Sequence, residues 1–303
     1  MKRILLFVAV FAATVATALA EPANGQNLFK KHYDYRNFTA VSVSSIFRVE
    51  ITFEDTWSVD VEVPDFLQPY LKISCTGDRL RIGLETLPKD IQRKLNDNPD
   101  KARAWVSMPR LLSLTMSGAT HVNTVGTPKL AAGDNLSIDL SGASELETLQ
   151  AASEGRLSIE LSGASKANLT TSFQSMNIDL SGASHLKLDG DTDDMELDCS
   201  GASSARFTGE YGKVNSDVSG ASKVKVTGNV GTLKVDASGS SKCEVDGVTD
   251  KADLELSGVS KCKLAVTKKL SYELSGVSTL QVKDLGSTIR GESKRGSKIE
   301  YLK

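Results

Sequence analysis

A tetrapeptide of the form Ser-Gly-x-Ser, with Ala, Ser or Val third, returns eight times. The copies begin at Ser141, Ser162, Ser181, Ser200, Ser219, Ser238, Ser257 and Ser275. A ninth, Ser117-Gly118-Ala119-Thr120, precedes them, and the steps between starts are 24, 21, 19, 19, 19, 19, 19 and 18 residues. A unit this short cannot bury an apolar face alone. Stacked units can, because each inward side chain lands on its counterpart one coil away.

Counting from the first Ser as zero, positions −5, −3 and −1 are apolar in almost every copy. Position −1, for example, reads Met116, Leu140, Leu161, Leu180, Cys199, Val218, Ala237, Leu256 and Leu274. Position +5 is apolar again, and +7 usually so, as at Leu188, Phe207, Val226 and Val245. A spacing of two is a strand with one buried face. Each unit therefore reads as strand, Ser-Gly corner, strand and return. A second glycine column at +9 (Gly190, Gly209, Gly228, Gly247) marks the return. No ten-residue window inside a repeat carries helical periodicity. The expected fold is all-β: a right-handed parallel β-helix of about nine rungs over 112–290. The right hand is expected because left-handed coils favour strict 18-residue units and these are mostly 19.

Residues 21–111 are expected to form an N-terminal β cap or irregular first rungs. Short alternating runs at Val41–Val43, Phe47–Phe53, Val59–Val63, Leu71–Cys75 and Leu80–Leu84 read as strands, with a hairpin turn at Thr76–Arg79. Pro64–Tyr70 reads as one helical turn. The charged stretch 88–100 reads as an exposed loop with a short helix at Asp90–Leu95. Residues 291–303 break the pattern. With Lys294 placed at position −1, Lys294, Arg295, Lys298 and Lys303 would make a basic end that discourages edge-to-edge association.

Residues 1–20 have the pattern of a signal peptide: Lys2 and Arg3, an apolar run from Ile4 to Val15, and Ala18-Leu19-Ala20 before the cut. The chain is thus expected to be exported, to the periplasm, the cell surface or the medium, with no transmembrane segment. Its net charge of −2 gives no argument for nucleic acid. Of four cysteines, Cys243 and Cys262 share position +5 in adjacent units. They read either as a disulfide between rungs or as two small buried side chains. Cys199 reads as a buried free thiol.

No catalytic constellation stands out. The Ser columns lack a paired base, and His121 and His185 fall three units apart. Position −2 is different: Asp139, Glu160, Asp179, Asp198, Asp217, Asp236, Glu255 and Glu273 put a carboxylate on one outward column in eight successive units. Neighbours ~5 Å apart raise each other's pKa or demand counter-ions. Three readings stay open: a solvated face neutralised by Lys166, His185, Lys223, Lys242 and Lys261 beyond the corner; a stripe that collects Ca²⁺; or a face for a basic partner. No other cofactor is implied.

The chain resembles the family described as putative auto-transporter adhesin, head GIN domain. Phe38–Val43, the block Phe47–Val63, Leu80-Arg81-Ile82, Trp105–Leu111 with its Met-Pro-x-Leu, and the Ser-Gly-Ala repeats carry the resemblance, over almost all of the chain after residue 20. It implies a β-helix in an exported bacterial protein and brings no catalytic residues. The leading functional expectation is a non-enzymatic, adhesin-like binding module, with a cell-surface glycan or protein as partner. A carbohydrate-active β-helix enzyme and an envelope-stress scaffold are the alternatives.

Overall fold

The computed structural model describes residues 27–96 and 102–303; the expected signal peptide lies outside them. The repeats form a β-solenoid of about nine stacked parallel coils. Register is one to one in the strands that enter each corner, and shifts only at the returns of the junctions Glu145–Leu161 with Lys166–Leu180 and Lys242–Leu256 with Lys261–Leu274. Leu161 pairs with Leu180, Leu180 with Cys199, and Cys199 with Val218. Positions −5, −3, −1, +5 and +7 face one continuous core. Leu140, Leu161 and Leu180 are fully buried. At roughly 1.5–3 kcal/mol per buried side chain, each coil contributes little beyond its ordering cost until neighbours cover it.

Each corner is fixed by its glycine. Gly182 has φ +67, and a Cβ there would lie 2.6 Å from the carbonyl oxygen of Gly163. The backbone N–H of Ala183 donates to that same oxygen at 2.7 Å, and the contact recurs along the stack. Both backbone conformation and close approach exclude a side chain. The final Ser of the motif points inward: Ser144, Ser165, Ser184 and their equivalents are at most 2% exposed. Its bonding is uneven. Ser144 Oγ and Ser165 Oγ donate to the carbonyls of Ser141 and Ser162 at 2.6 and 2.9 Å. Among the described residues, Ser184 Oγ, Ser241 Oγ and Ser260 Oγ have no partner.

The N-terminal region combines parallel coils continuous with the stack and antiparallel strands. It comprises β1 (Leu28–Tyr33), β2 (Ala40–Val43), β3 (Arg48–Phe53), β4 (Ser58–Pro64), β5 (Leu71–Thr76), β6 (Arg79–Leu84), α1 (Lys89–Asn96) and β7 (Arg103–Met108). The first repeat follows as β8 (Ser113–Met116) and β9 (His121–Val125). A 3-10 turn at Asp65–Tyr70 links β4 and β5.

β2 and β3 make a coil without the motif. β2 lies parallel between β6 and β8, and β3 parallel between β7 and β9. Ser45 takes the glycine's place at φ +75, and its carbonyl accepts the N–H of Ala119 at 2.7 Å. β6 and β7 form the next coil outward, with α1 between them in sequence. The Met-Pro-x-Leu segment, Met108–Leu111, carries the chain back past the β2–β3 coil to β8. Leu111 is fully buried there, and the Leu112 N–H donates to the Thr39 carbonyl. Antiparallel strands finish this end: β5 on β6, β4 on β7 and β1 on β4.

At the other end the stack continues past residue 290 through Thr288–Ser293 and Lys298–Tyr301. Leu274 pairs with Ser293, so Ser293 holds position −1 and Lys294 stands where the first Ser would be. This corrects the register expected for Lys294. The shift arises because Gly296 sits one place later in this corner than in the others.

Candidate functional site

Three outward strips run along the solenoid. The first is the acidic column. Strand register brings Asp139, Glu160, Asp179, Asp198, Asp217, Asp236, Glu255 and Glu273 into one line, one per coil. Glu292 extends it by a ninth carboxylate. The broken motif hid Glu292 from the sequence pattern. Among the described residues no Lys or Arg nitrogen lies within 4.0 Å of this column. The lysines beyond the corner do not neutralise it by contact: Lys242 pairs with Glu244 on its own face. Partial desolvation, then the charges of Asp217, Asp179 and Glu196, raise the Asp198 pKa. Among the described residues, no three His, Cys, Asp or Glu side chains converge on a point that could hold a metal ion. The carboxylates remain spread along a line.

The second strip is the outer face of the strands after the corner. Positions +4 and +6 collect Lys166, His185, Lys187, Arg206, Lys223, Lys225, Lys242, Lys261 and Lys263, in register from coil to coil.

The third strip was not expected from the sequence. Where each coil returns, a groove of about 1210 Å³ runs across seven coils, from Ala132 and Gly133 to Val248 and Asp250. At ~4.8 Å per coil it is ~29 Å long. The middle coils make it. Glycines at Gly190, Gly209 and Gly228 end the strands at this corner, where a Cβ would strike the backbone of the preceding coil at 2.2 Å or less. Flanking coils instead run through as single bent strands, Glu145–Leu161 and Lys166–Leu180 on one side, Lys242–Leu256 and Lys261–Leu274 on the other. Gly212 and Gly231 line the groove without side chains of their own, and a Cβ at either would lie 2.5 or 2.6 Å from a carbonyl oxygen of the preceding coil.

A ladder of side chains braces this groove. Asp191 Oδ1 accepts the N–H of Glu210 at 2.8 Å, Glu210 Oε1 accepts the N–H of Asn229 at 3.5 Å, and Asn229 Oδ1 accepts the N–H of Val248 at 3.1 Å. The strand ladder is interrupted here, so side chains take over its donors. Both ends are pinned by ion pairs, Arg110 with Asp134 and Lys268 with Asp250. Asp134 is held below the usual carboxylate range, first by the Ala131 N–H and then by Arg110. Among the described residues, five carboxylates line the groove (Glu154, Asp191, Asp193, Glu210, Asp250), and no Lys or Arg does. Tyr211 also lines it; its hydroxyl is buried without a partner, and burial pushes its pKa well up.

The remaining singled-out residues are scattered. His121 contacts Glu147 and Glu145, while His185 contacts the Ala183 carbonyl, three coils away. Cys243 and Cys262 are buried, directly paired in register, and present as free thiols in contact. Cys199 is a buried free thiol, as expected, with its pKa pushed up to about 12 by burial.

No helix among the described residues is long and apolar enough to cross a membrane. No curated protein matches the chain. Among solved structures, a putative adhesin from Parabacteroides distasonis ATCC 8503 is similar in fold, with a TM-score of 0.52 at 15% identity, covering 92% of this chain and 98% of that one. A putative adhesin from Parabacteroides merdae ATCC 43184 matches with TM-score 0.43, 14% identity and coverage of 92% and 98%. A putative lipid binding protein from Parabacteroides distasonis ATCC 8503 gives 0.39, 15%, and again 92% and 98%. The model of the family putative auto-transporter adhesin, head GIN domain, matches residues 37–209 and 177–284, and the chain belongs to that family.

Proposed function

We propose that this chain is a non-enzymatic, adhesin-like binding module, exported to the bacterial cell envelope, whose ligand lies extended along the return groove. The groove itself carries the reading, because it is long, open and built by a local departure from an otherwise regular stack. Its chemistry selects the ligand. Carboxylates, Asn229, Ser153 and Ser172 offer oxygen acceptors to hydroxyl and amine donors, and the absence of lining Lys or Arg disfavours anionic chains. A neutral or amine-bearing cell-surface glycan fits this lining. The test is binding to immobilised neutral and amine-bearing glycans by the unaltered protein and by a Gln174→Trp, Asp193→Trp variant. Both residues are exposed in the groove and outside the bracing ladder. Loss of binding in the variant supports the assignment; equal binding by both proteins refutes it.

A further inference from the structure

Charge on this molecule is sorted by face, which a net charge of −2 conceals. Across the six coils from Lys166 to Lys263, positions +4 and +6 hold eight Lys or Arg side chains against one acid, Glu244. The strip is two side chains wide, ~7 Å, and ~24 Å long. Lys187, Lys225, Lys242 and Lys263 each pair with a carboxylate of the same face. Lys166, Arg206, Lys223 and Lys261 have no carboxylate within 4.0 Å among the described residues. Four unpaired cations spread over these six coils, on one sheet face, are poised to exchange small counter-ions for a polyanion.

We propose that this strip binds a linear acidic polysaccharide, a chain of carboxylate-bearing sugars running parallel to the solenoid axis. The inference is independent of the groove, which lies at another corner and has the opposite charge. Three features favour this partner. A narrow, long array matches a single chain, whereas a planar anionic membrane would also meet the acids bordering the strip, such as Asp189 and Asp246. The strip has no Phe, Tyr or Trp on which nucleobases could stack. It also lacks the exposed apolar side chains with which a membrane-binding surface inserts.

The probe is an oligogalacturonate of about ten sugars, titrated at about 50 mM salt. Release of counter-ions by four cations gives an expected log–log salt slope near −3. Lys166→Gln, Arg206→Gln and Lys223→Gln together, all at exposed positions, should weaken binding at least tenfold with an unchanged circular dichroism spectrum. The groove variant Gln174→Trp, Asp193→Trp should bind the probe normally, so failure here is separable from failure of the groove reading. Absent binding, or binding unaltered in the triple Gln variant, overturns the proposal. So does equal or tighter binding, at matched charge, to phosphatidylglycerol vesicles or oligothymidylate.

Discussion

Asp191 of one coil accepts the backbone N–H of Glu210 in the next at 2.8 Å, standing in for a strand hydrogen bond that the return interrupts. The groove wall is therefore structural as well as polar. Asp191→Ala should cost about 1–2 kcal/mol by leaving that donor without its acceptor, whereas Asp191→Asn should keep most of the bond. Urea denaturation of the two variants tests this; equal losses would remove the ladder as a bracing element.

The inward serines separate into two classes. Ser165→Ala should cost about 1 kcal/mol, since its hydroxyl donates to the Ser162 carbonyl at 2.9 Å. Ser184→Ala should be neutral, because Ser184 Oγ is buried without a partner. Ser216 sits unpartnered in the apolar column between Leu197 and Val235, so Ser216→Val should stabilise by about 1 kcal/mol. Leu180→Asp, by contrast, buries a charge between two coils and should prevent folding.

The coils and the acidic column were legible in the sequence because each inward or outward position repeats at nearly constant spacing. What was hidden breaks the period. The β2–β3 coil carries Ser45 where the motif has Gly and Phe47 where it has Ser. Its neighbour carries α1 in sequence between its two strands, β6 and β7, and the chain visits these coils out of spatial order. The groove was hidden for a different reason. It comes from side chains that are missing, at Gly212 and Gly231, and from where the strands stop. Of its braces, Asp191, Glu210 and Asn229 look like ordinary turn residues one coil at a time. Only stacking shows that each reaches the next.

Asp198 makes the acidic column sensitive to pH. Its pKa is raised in the folded chain, so folding favours the protonated form, and this contribution to stability is lost as pH rises through the folded pKa. Asp198→Asn should thus raise the melting temperature at neutral pH and low salt, with the gain shrinking as salt screens the column. If the column collects Ca²⁺, millimolar CaCl₂ should raise the melting temperature more than MgCl₂ at matched ionic strength, and Asp198→Asn with Asp217→Asn should abolish the difference. Calorimetry without saturable Ca²⁺ heat would leave the column a solvated face.

Cys243 and Cys262 face each other directly across two coils. If an oxidising compartment joins them, mass spectrometry of the exported protein should show a loss of two hydrogens, and reduction should lower the melting temperature by roughly 5–10 °C. Two free thiols after export would leave them as core side chains.

The most direct test of the account is hydrogen exchange on the protein with and without a glycan retained in the screen. Ligand along the groove should slow exchange in peptides covering 172–174, 191–193, 210–212 and 229–231, and leave the strands that carry the acidic column unchanged. Protection centred on those strands, or on the Ser-Gly corners, with none at the return, would contradict the groove as the binding site.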